Sequence, residues 1–91
     1  MAYFTVIIPL YNKENHIENT LKSVLNQSFQ DFEILIIEDC STDNSKKVAE
    51  SVTSDKIKII HHEKNKGLSA SRNTGIANAN ATYLAFLDAD D

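Results

Sequence analysis

Phe4-Thr5-Val6-Ile7-Ile8 is a short, nearly continuous apolar run closed by Pro9. A strand with one wet face alternates apolar and polar residues; this run predicts a strand buried on both faces, the condition of strands in a parallel sheet. Phe32-Glu33-Ile34-Leu35-Ile36-Ile37, ending at Glu38-Asp39, reads the same way. Ile57 to Ile60, leaving through His61-His62, makes a third strand, and Tyr83 to Leu87 a fourth. Between the first two, Ile17, Leu21, Val24 and Leu25 recur at the spacing of a helical apolar stripe. Val48, Ala49 and Val52 give a second helix, with N-cap chemistry in Ser41-Thr42-Asp43. Leu68 to Ala79 predicts a third helix with Leu68, Ile76 and Ala79 inward; Gly75 and several Asn lower its intrinsic propensity but leave room for close packing on a sheet. The order β-α-β-α-β-α-β implies right-handed crossovers and an α/β fold, a parallel sheet with helices on its faces.

Bulk properties narrow the classes. The 91 residues suit one small domain or a piece of a larger one, and a net charge of −4 argues against phosphate-backbone binding, so no nucleic-acid partner is expected. Cys40 is the only cysteine, which excludes an intramolecular disulfide, fits a reducing compartment, and reads as a small packing residue. The N-terminus lacks the pattern of a signal peptide, and no apolar segment reaches the ~20 residues of a membrane helix. The expected location is cytoplasmic, with the cytoplasmic membrane face as the alternative for a full-length protein. Neither Gly-x-Gly-x-x-Gly after the first strand nor the P-loop pattern is present, so ordinary dinucleotide and P-loop readings lose their main support.

In open α/β sheets, ligands bind at the carboxyl ends of the strands. Three sequences fall there: Pro9-Leu10-Tyr11-Asn12, Glu38-Asp39 and Asp88 to Asp91. Phe86-Leu87-Asp88-Ala89-Asp90-Asp91 runs an apolar strand into three carboxylates, which repel one another unless a cation or proton sits among them. Hard cations such as Mg²⁺ and Mn²⁺ take oxygen ligands, often one or two protein carboxylates with phosphates and water completing the shell. The plain alternative is a solvated acidic loop. Asp39 can accept hydrogen bonds from a ribose or a base N–H, or it caps the following helix, although Ser41, Thr42 and Asp43 already offer that capping. In Lys64-Asn65-Lys66-Gly67-Leu68-Ser69-Ala70-Ser71-Arg72-Asn73, Gly67 permits close backbone approach, and Arg72 on the first turns of a helix either holds an anion or locks the acidic tail. The histidines are weak ligand candidates: adjacent His61 and His62 point to opposite faces of a strand, and His16 lies on an exposed helix side.

Taken together, four segments resemble family 2 glycosyltransferases of the GT-A fold: Val6-Ile7-Ile8-Pro9-Leu10-Tyr11-Asn12, Glu38-Asp39-Cys40-Ser41-Thr42-Asp43, Lys66 to Ile76, and Phe86 to Asp91. Each alone is loose; four in order and spacing are specific, and they cover nearly the whole chain. The resemblance implies a Rossmann-like GT-A half-domain with a four-stranded, mostly parallel sheet in the order 3-2-1-4. It implies a nucleotide-sugar donor, commonly a UDP-sugar, and Mn²⁺ or Mg²⁺. By it, Pro9 and Tyr11 border the base, Glu14 lies near the nucleoside, and Asp39 takes the base edge or ribose. Gly67 and Arg72 shape the pocket, Asp88 faces the ribose, and Asp90 binds the metal. Glu38 stands where the family often has Asp, and Cys40 where Gly or Asn is common. The family continues past the metal motif into an acceptor half that carries the catalytic base. Residues 1–91 are therefore expected to be a donor-binding portion, inactive alone, whose glycan or lipid-linked acceptor is met by the missing half. No catalytic residue is assigned.

Two other classes fit parts of the sequence. A phosphatase of the haloacid dehalogenase type would use Asp88 as nucleophile and Asp90 as acid with Mg²⁺, but its motif opens a domain rather than closing a chain. A non-catalytic nucleotide-binding or assembly fragment would leave sheet edge and helix faces uncovered and self-associate as a homo-oligomer.

Overall fold

The computed structural model describes residues 3–90. Asp91, the last of the three terminal carboxylates, lies outside the described residues. Four strands alternate with three helices: β1 Phe4–Leu10, α1 Ile17–Leu25, β2 Phe32–Glu38, α2 Ser45–Ser51, β3 Ile57–His61, α3 Leu68–Asn78 and β4 Tyr83–Phe86. The sheet has the order β3-β2-β1-β4, and every pairing is parallel. The order reverses at β1, whose neighbours are β2 on one side and β4 on the other. β1 and β2 are the central pair, and their alternate residues feed two cores. Ile8, Leu10, Ile34 and Ile36 face α1 and α2, meeting Ile17, Leu21, Val24 and Ala49. Ile7, Leu35 and Ile37 face the other way, toward α3.

Pro9 does not end β1; it pairs in register with Ile37, and the strand runs on to Leu10. The missing N–H costs nothing there. Ile7 accepts from Leu87 on the β4 side and Leu10 accepts from Asp39 on the β2 side, so Pro9 turns toward β4, beyond the last bond of that ladder.

Helix α3 departs from expectation. Leu68 and Ile76 are about half exposed; Ser71 and Gly75 are the buried pair. A side chain at position 75 has nowhere to go, since an added Cβ would lie 2.4 Å from Ile7 Cγ2. Ser71 and Gly75, spaced i and i+4, let the helix backbone settle on β1. That close approach turns the two large apolar residues away from the sheet, and Ala79 caps the helix half-buried.

Cys40 is also different from its reading as a packing residue. It is exposed, with φ at 62°. That left-handed conformation is open to Gly or Asn with less strain, and it turns the chain sharply after Asp39.

Candidate functional site

Because all strands are parallel, their carboxyl ends share one edge. Leu10, Glu38 and His61 stand side by side in register, so the next residues, Tyr11, Asp39 and His62, leave the sheet together. Beside them, β4 delivers Asp88-Ala89-Asp90 at the point where strand order reverses, the place where such sheets bind ligands. A cleft of about 430 Å³ opens there, lined by Pro9, Tyr11, Lys13, Asp39, Gly67, Asp88 and Asp90 among others.

The cleft thus gathers six of the eight residues singled out in the sequence: Pro9, Tyr11, Asp39, Gly67, Asp88 and Asp90. Glu14 stays out of the lining; its N–H donates to Asp43 Oδ2 (3.3 Å). Arg72 is likewise outside it and faces Asp88 from 4.0 Å, both side chains largely exposed, so the contact is a loose rim pair rather than a lock.

Asp39 is the most highly constrained group. Its side chain is 4% exposed. Oδ1 accepts from the backbone N–H of Lys66 (2.8 Å), and Oδ2 from that of Gly67 (2.9 Å). Gly67 adopts φ 91°, which aims this N–H at the carboxylate and is a conformation other residues reach only with strain. His62 Nδ1 lies 2.8 Å from Oδ1. A carboxylate only accepts, so Nδ1 carries the proton. Burial by itself pushes the Asp39 carboxyl up; the hydrogen bonds from His62, Lys66 and Gly67 outweigh it and hold it below the usual carboxylate range. The linkage sign follows. This stabilisation is complete above the unfolded value of about 3.9 and is lost as pH falls through the lower folded value. Denaturant titrations between pH 6 and pH 2 are expected to show stability falling over that window, with a shallower fall in Asp39→Asn.

The Asp88-Ala89-Asp90 turn is anchored from behind. Ala89 is buried, and its carbonyl accepts from the Thr20 hydroxyl of α1 (2.7 Å). With Ala89 held inward, Asp88 and Asp90 on either side are left facing the cleft. Thr20→Val keeps the shape but leaves that carbonyl without its partner. The expected cost is about 1–3 kcal/mol, read as a fall of roughly 4–8 °C in Tm per kcal/mol in a domain of this size.

The opposite wall is tied in the same manner. Asn12, at φ 52°, accepts from the N–H of Thr42 with Oδ1 (2.8 Å), and its own N–H donates to Ser41 Oγ (3.0 Å). Buried Glu38 receives the N–H groups of Cys40 and Ser41. Asp43, not Ser41 or Thr42, does the capping of α2, accepting from the N–H of Ser45 (2.8 Å). Burial raises the Asp43 carboxyl, and the bonds from Ser45 and Glu14 bring it net downward.

Two residues of the site were not legible in the sequence. Lys13 lines the cleft with its ammonium 3.5 Å from Asp90. Its only signal was position, two residues after Tyr11 in the first loop. His62 was discounted as a ligand, yet it is buried against Asp39. The clue was its place one residue beyond the third strand, level with Asp39 one residue beyond the second.

Among the described residues no three His, Cys, Asp or Glu side chains converge to hold a metal by themselves. Asp88 and Asp90 supply hard oxygen ligands at one cleft mouth, which suits a Mg²⁺- or Mn²⁺-type ion whose remaining ligands are phosphates and water. No helix among the described residues is long and apolar enough to cross a membrane.

Known proteins share this arrangement. The Glycosyl transferase family 2 model matches residues 5–91. An uncharacterized glycosyltransferase of Rickettsia conorii is 48% identical over 87 residues, which is 96% of this chain and 14% of that protein. The crystal structure of S. aureus TarS 1-349 in complex with UDP superposes with a TM-score of 0.87 at 32% identity, over 97% of this chain and 27% of that one. The mannosyltransferase PcManGT from Pyrobaculum calidifontis, in complex with GDP-Man and Mn²⁺, gives a TM-score of 0.85 at 25% identity, over 96% of this chain and 27% of that one. The chain therefore spans about a quarter or less of the length of these three proteins. A match running from the first strand through the Asp88-Ala89-Asp90 turn, on this fold, means that the chain belongs to glycosyl transferase family 2.

Proposed function

We propose that residues 1–91 are the donor-binding portion of an inverting glycosyltransferase that takes a sugar from a nucleoside-diphosphate sugar, most simply a UDP-sugar, to an acceptor hydroxyl. The observation that carries this reading is that Asp39 and Asp90, 51 positions apart in sequence, open onto one cleft. Asp39 is ionised and fixed, suited to accept from a base N–H or ribose hydroxyl. Pro9 and Tyr11 border the base, and Tyr11, 43% exposed, offers a ring face. Asp88 faces the ribose and Asp90 the divalent ion. That ion, when bound, supplies Lewis-acid neutralisation of the leaving diphosphate. Lys13 adds a positive charge at the same mouth. Glu14 and Arg72, outside the lining, act from the rim.

The binding of UDP by TarS and of GDP-Man with Mn²⁺ by PcManGT supports this reading. Among the described residues of the cleft no carboxylate is left over to take a proton from an acceptor. Asp39 is tied by three donors, and Asp88 and Asp90 are assigned to donor and metal. The 91-residue chain alone is therefore expected to bind donor without transferring sugar; the glycan or lipid-linked acceptor and the base belong to the remainder of a longer enzyme.

Calorimetric titration of UDP, GDP and ADP, each with and without Mn²⁺, tests the proposal. The expected result is UDP binding that tightens with Mn²⁺ and falls back to its metal-free strength on chelation with EDTA. Failure of all three nucleotides to bind in the presence of Mn²⁺ would sink it.

A further inference from the structure

His62 takes no part in lining the cleft, yet both of its ring nitrogens are committed. Its side chain is 5% exposed. Nδ1 donates to Asp39 Oδ1 at 2.8 Å, and Nε2 meets Thr74 Oγ1 on α3, also at 2.8 Å. Its backbone N–H extends the β2–β3 ladder by donating to the Glu38 carbonyl (2.9 Å), so the ring is fixed relative to the sheet as well as to the helix. The series carboxylate, imidazole, hydroxyl is that of a hydrolase relay, but here it runs backwards with respect to the cleft. Asp39 lines it and Thr74 does not, and the Thr74 hydroxyl lies 3.0 Å from the Ala70 carbonyl of its own helix. No nucleophile is presented.

We propose that His62 is a positioning residue for donor recognition, holding the Asp39 carboxylate so that a single oxygen faces the ligand. The division of donors over the two oxygens is unequal. Oδ1 receives two, from His62 and Lys66, and is filled; Oδ2 receives one, from Gly67, and keeps a lone pair. Without the imidazole, the carboxylate is held only by the Lys66 and Gly67 N–H groups, and each oxygen is left with one donor and one open lone pair. A group that must accept from one edge of a base or one ribose hydroxyl loses its aim when it can present either oxygen. The same ring spans from Asp39, just past β2, to Thr74 on α3, the helix whose N-cap residue Gly67 supplies the N–H to Oδ2. This inference rests on the donor-binding reading above.

Two substitutions separate positioning from packing. His62→Asn keeps an N–H donor close to the place of Nδ1 and gives up Thr74; His62→Gln reaches toward the place of Nε2 and gives up the bond to Asp39. Calorimetry with UDP and Mn²⁺ on the full chain should find His62→Asn within about threefold of the parent and His62→Gln weaker by about tenfold or more, the loss of one charge-assisted bond. Equal losses in the two variants, tracking their Tm values, would assign His62 to packing and overturn the inference. So would unchanged UDP binding in His62→Gln, with the donor-binding reading left standing. If the unsubstituted chain binds none of UDP, GDP or ADP with Mn²⁺, both readings fall together. Should His62→Gln not fold, imidazole ¹⁵N shifts of the unsubstituted chain decide: a protonated Nδ1 with a downfield, exchange-protected proton is expected, and an unprotonated Nδ1 contradicts the proposal.

Discussion

Asp90→Asn will bind UDP equally well with and without Mn²⁺. In the parent chain the Asp90 carboxylate lies 3.5 Å from the Lys13 ammonium, both about 40% exposed. A pair so exposed is worth at most about 1 kcal/mol. Lys13 would therefore yield Asp90 to a divalent ion at little cost, and its ammonium would remain at the cleft mouth as a positive charge for a diphosphate. Removing groups that merely orient metal ligands lowers metal affinity by about 10–100-fold. Loss of a direct carboxylate ligand should reach at least the upper end of that range. Metal-free binding should hold, since Lys13 no longer has a carboxylate competing for it. Stability should change by less than about 1 kcal/mol, as for other exposed substitutions. Calorimetry at fixed pH with and without Mn²⁺ reads all of this. A variant that still tightens around UDP on adding Mn²⁺ would take the metal away from Asp90.

The largest effect on stability is expected at Gly75. Gly to Ala inside a helix ordinarily gains about 1 kcal/mol of propensity. Here the new Cβ meets Ile7 Cγ2 at 2.4 Å and two further atoms of the same side chain at 3.1 and 3.2 Å. Ile7 is fully buried on the central strand, so it has no open direction in which to yield. Overpacking of that kind costs about 1–3 kcal/mol for small insertions. Gly75→Ala should therefore come out near neutral or mildly destabilised, and Gly75→Leu destabilised by about 3 kcal/mol or more. For a 91-residue chain, with total stability on the order of 5–13 kcal/mol, that is a large fraction. Lifting α3 also withdraws the Gly67 N–H from Asp39, so UDP affinity should fall along with the denaturation midpoint. Ile76→Ala, one residue further on but half exposed, should cost much less. Equal costs at 75 and 76 would mean that α3 packs through Ile76 after all.

Legibility in the sequence followed burial. The nearly continuous apolar runs at Phe4 to Ile8 and Phe32 to Ile37 carried the sheet, because strands covered on both faces carry few polar residues on either. The α1 stripe was equally plain, since Ile17, Leu21 and Val24 do face the core. Helix α3 was readable as a helix but not for its inward face. Apolar spacing identifies a buried face only when contact is made by large side chains, and α3 makes contact through Ser71 and Gly75. At the site, Asp39, Asp88 and Asp90 stood out because charge at a strand end is conspicuous. Lys13 and His62 did not, because what matters about them is the partner across space. The N–H groups that fix Asp39 come from Lys66 and Gly67, 27 and 28 positions away, and no local pattern announces them.

Paramagnetic broadening tests the central claim most directly. Substoichiometric Mn²⁺ added to ¹⁵N-labelled chain saturated with UDP should erase first the amide signals of 88–90 and 11–13, with those of 39 and 66–67 next and the far ends of the strands unaffected. Asp90→Asn should show none of this. Broadening centred elsewhere on the molecule, or none at all with UDP present, would contradict a cation-assisted nucleotide cleft at the carboxyl edge of the sheet.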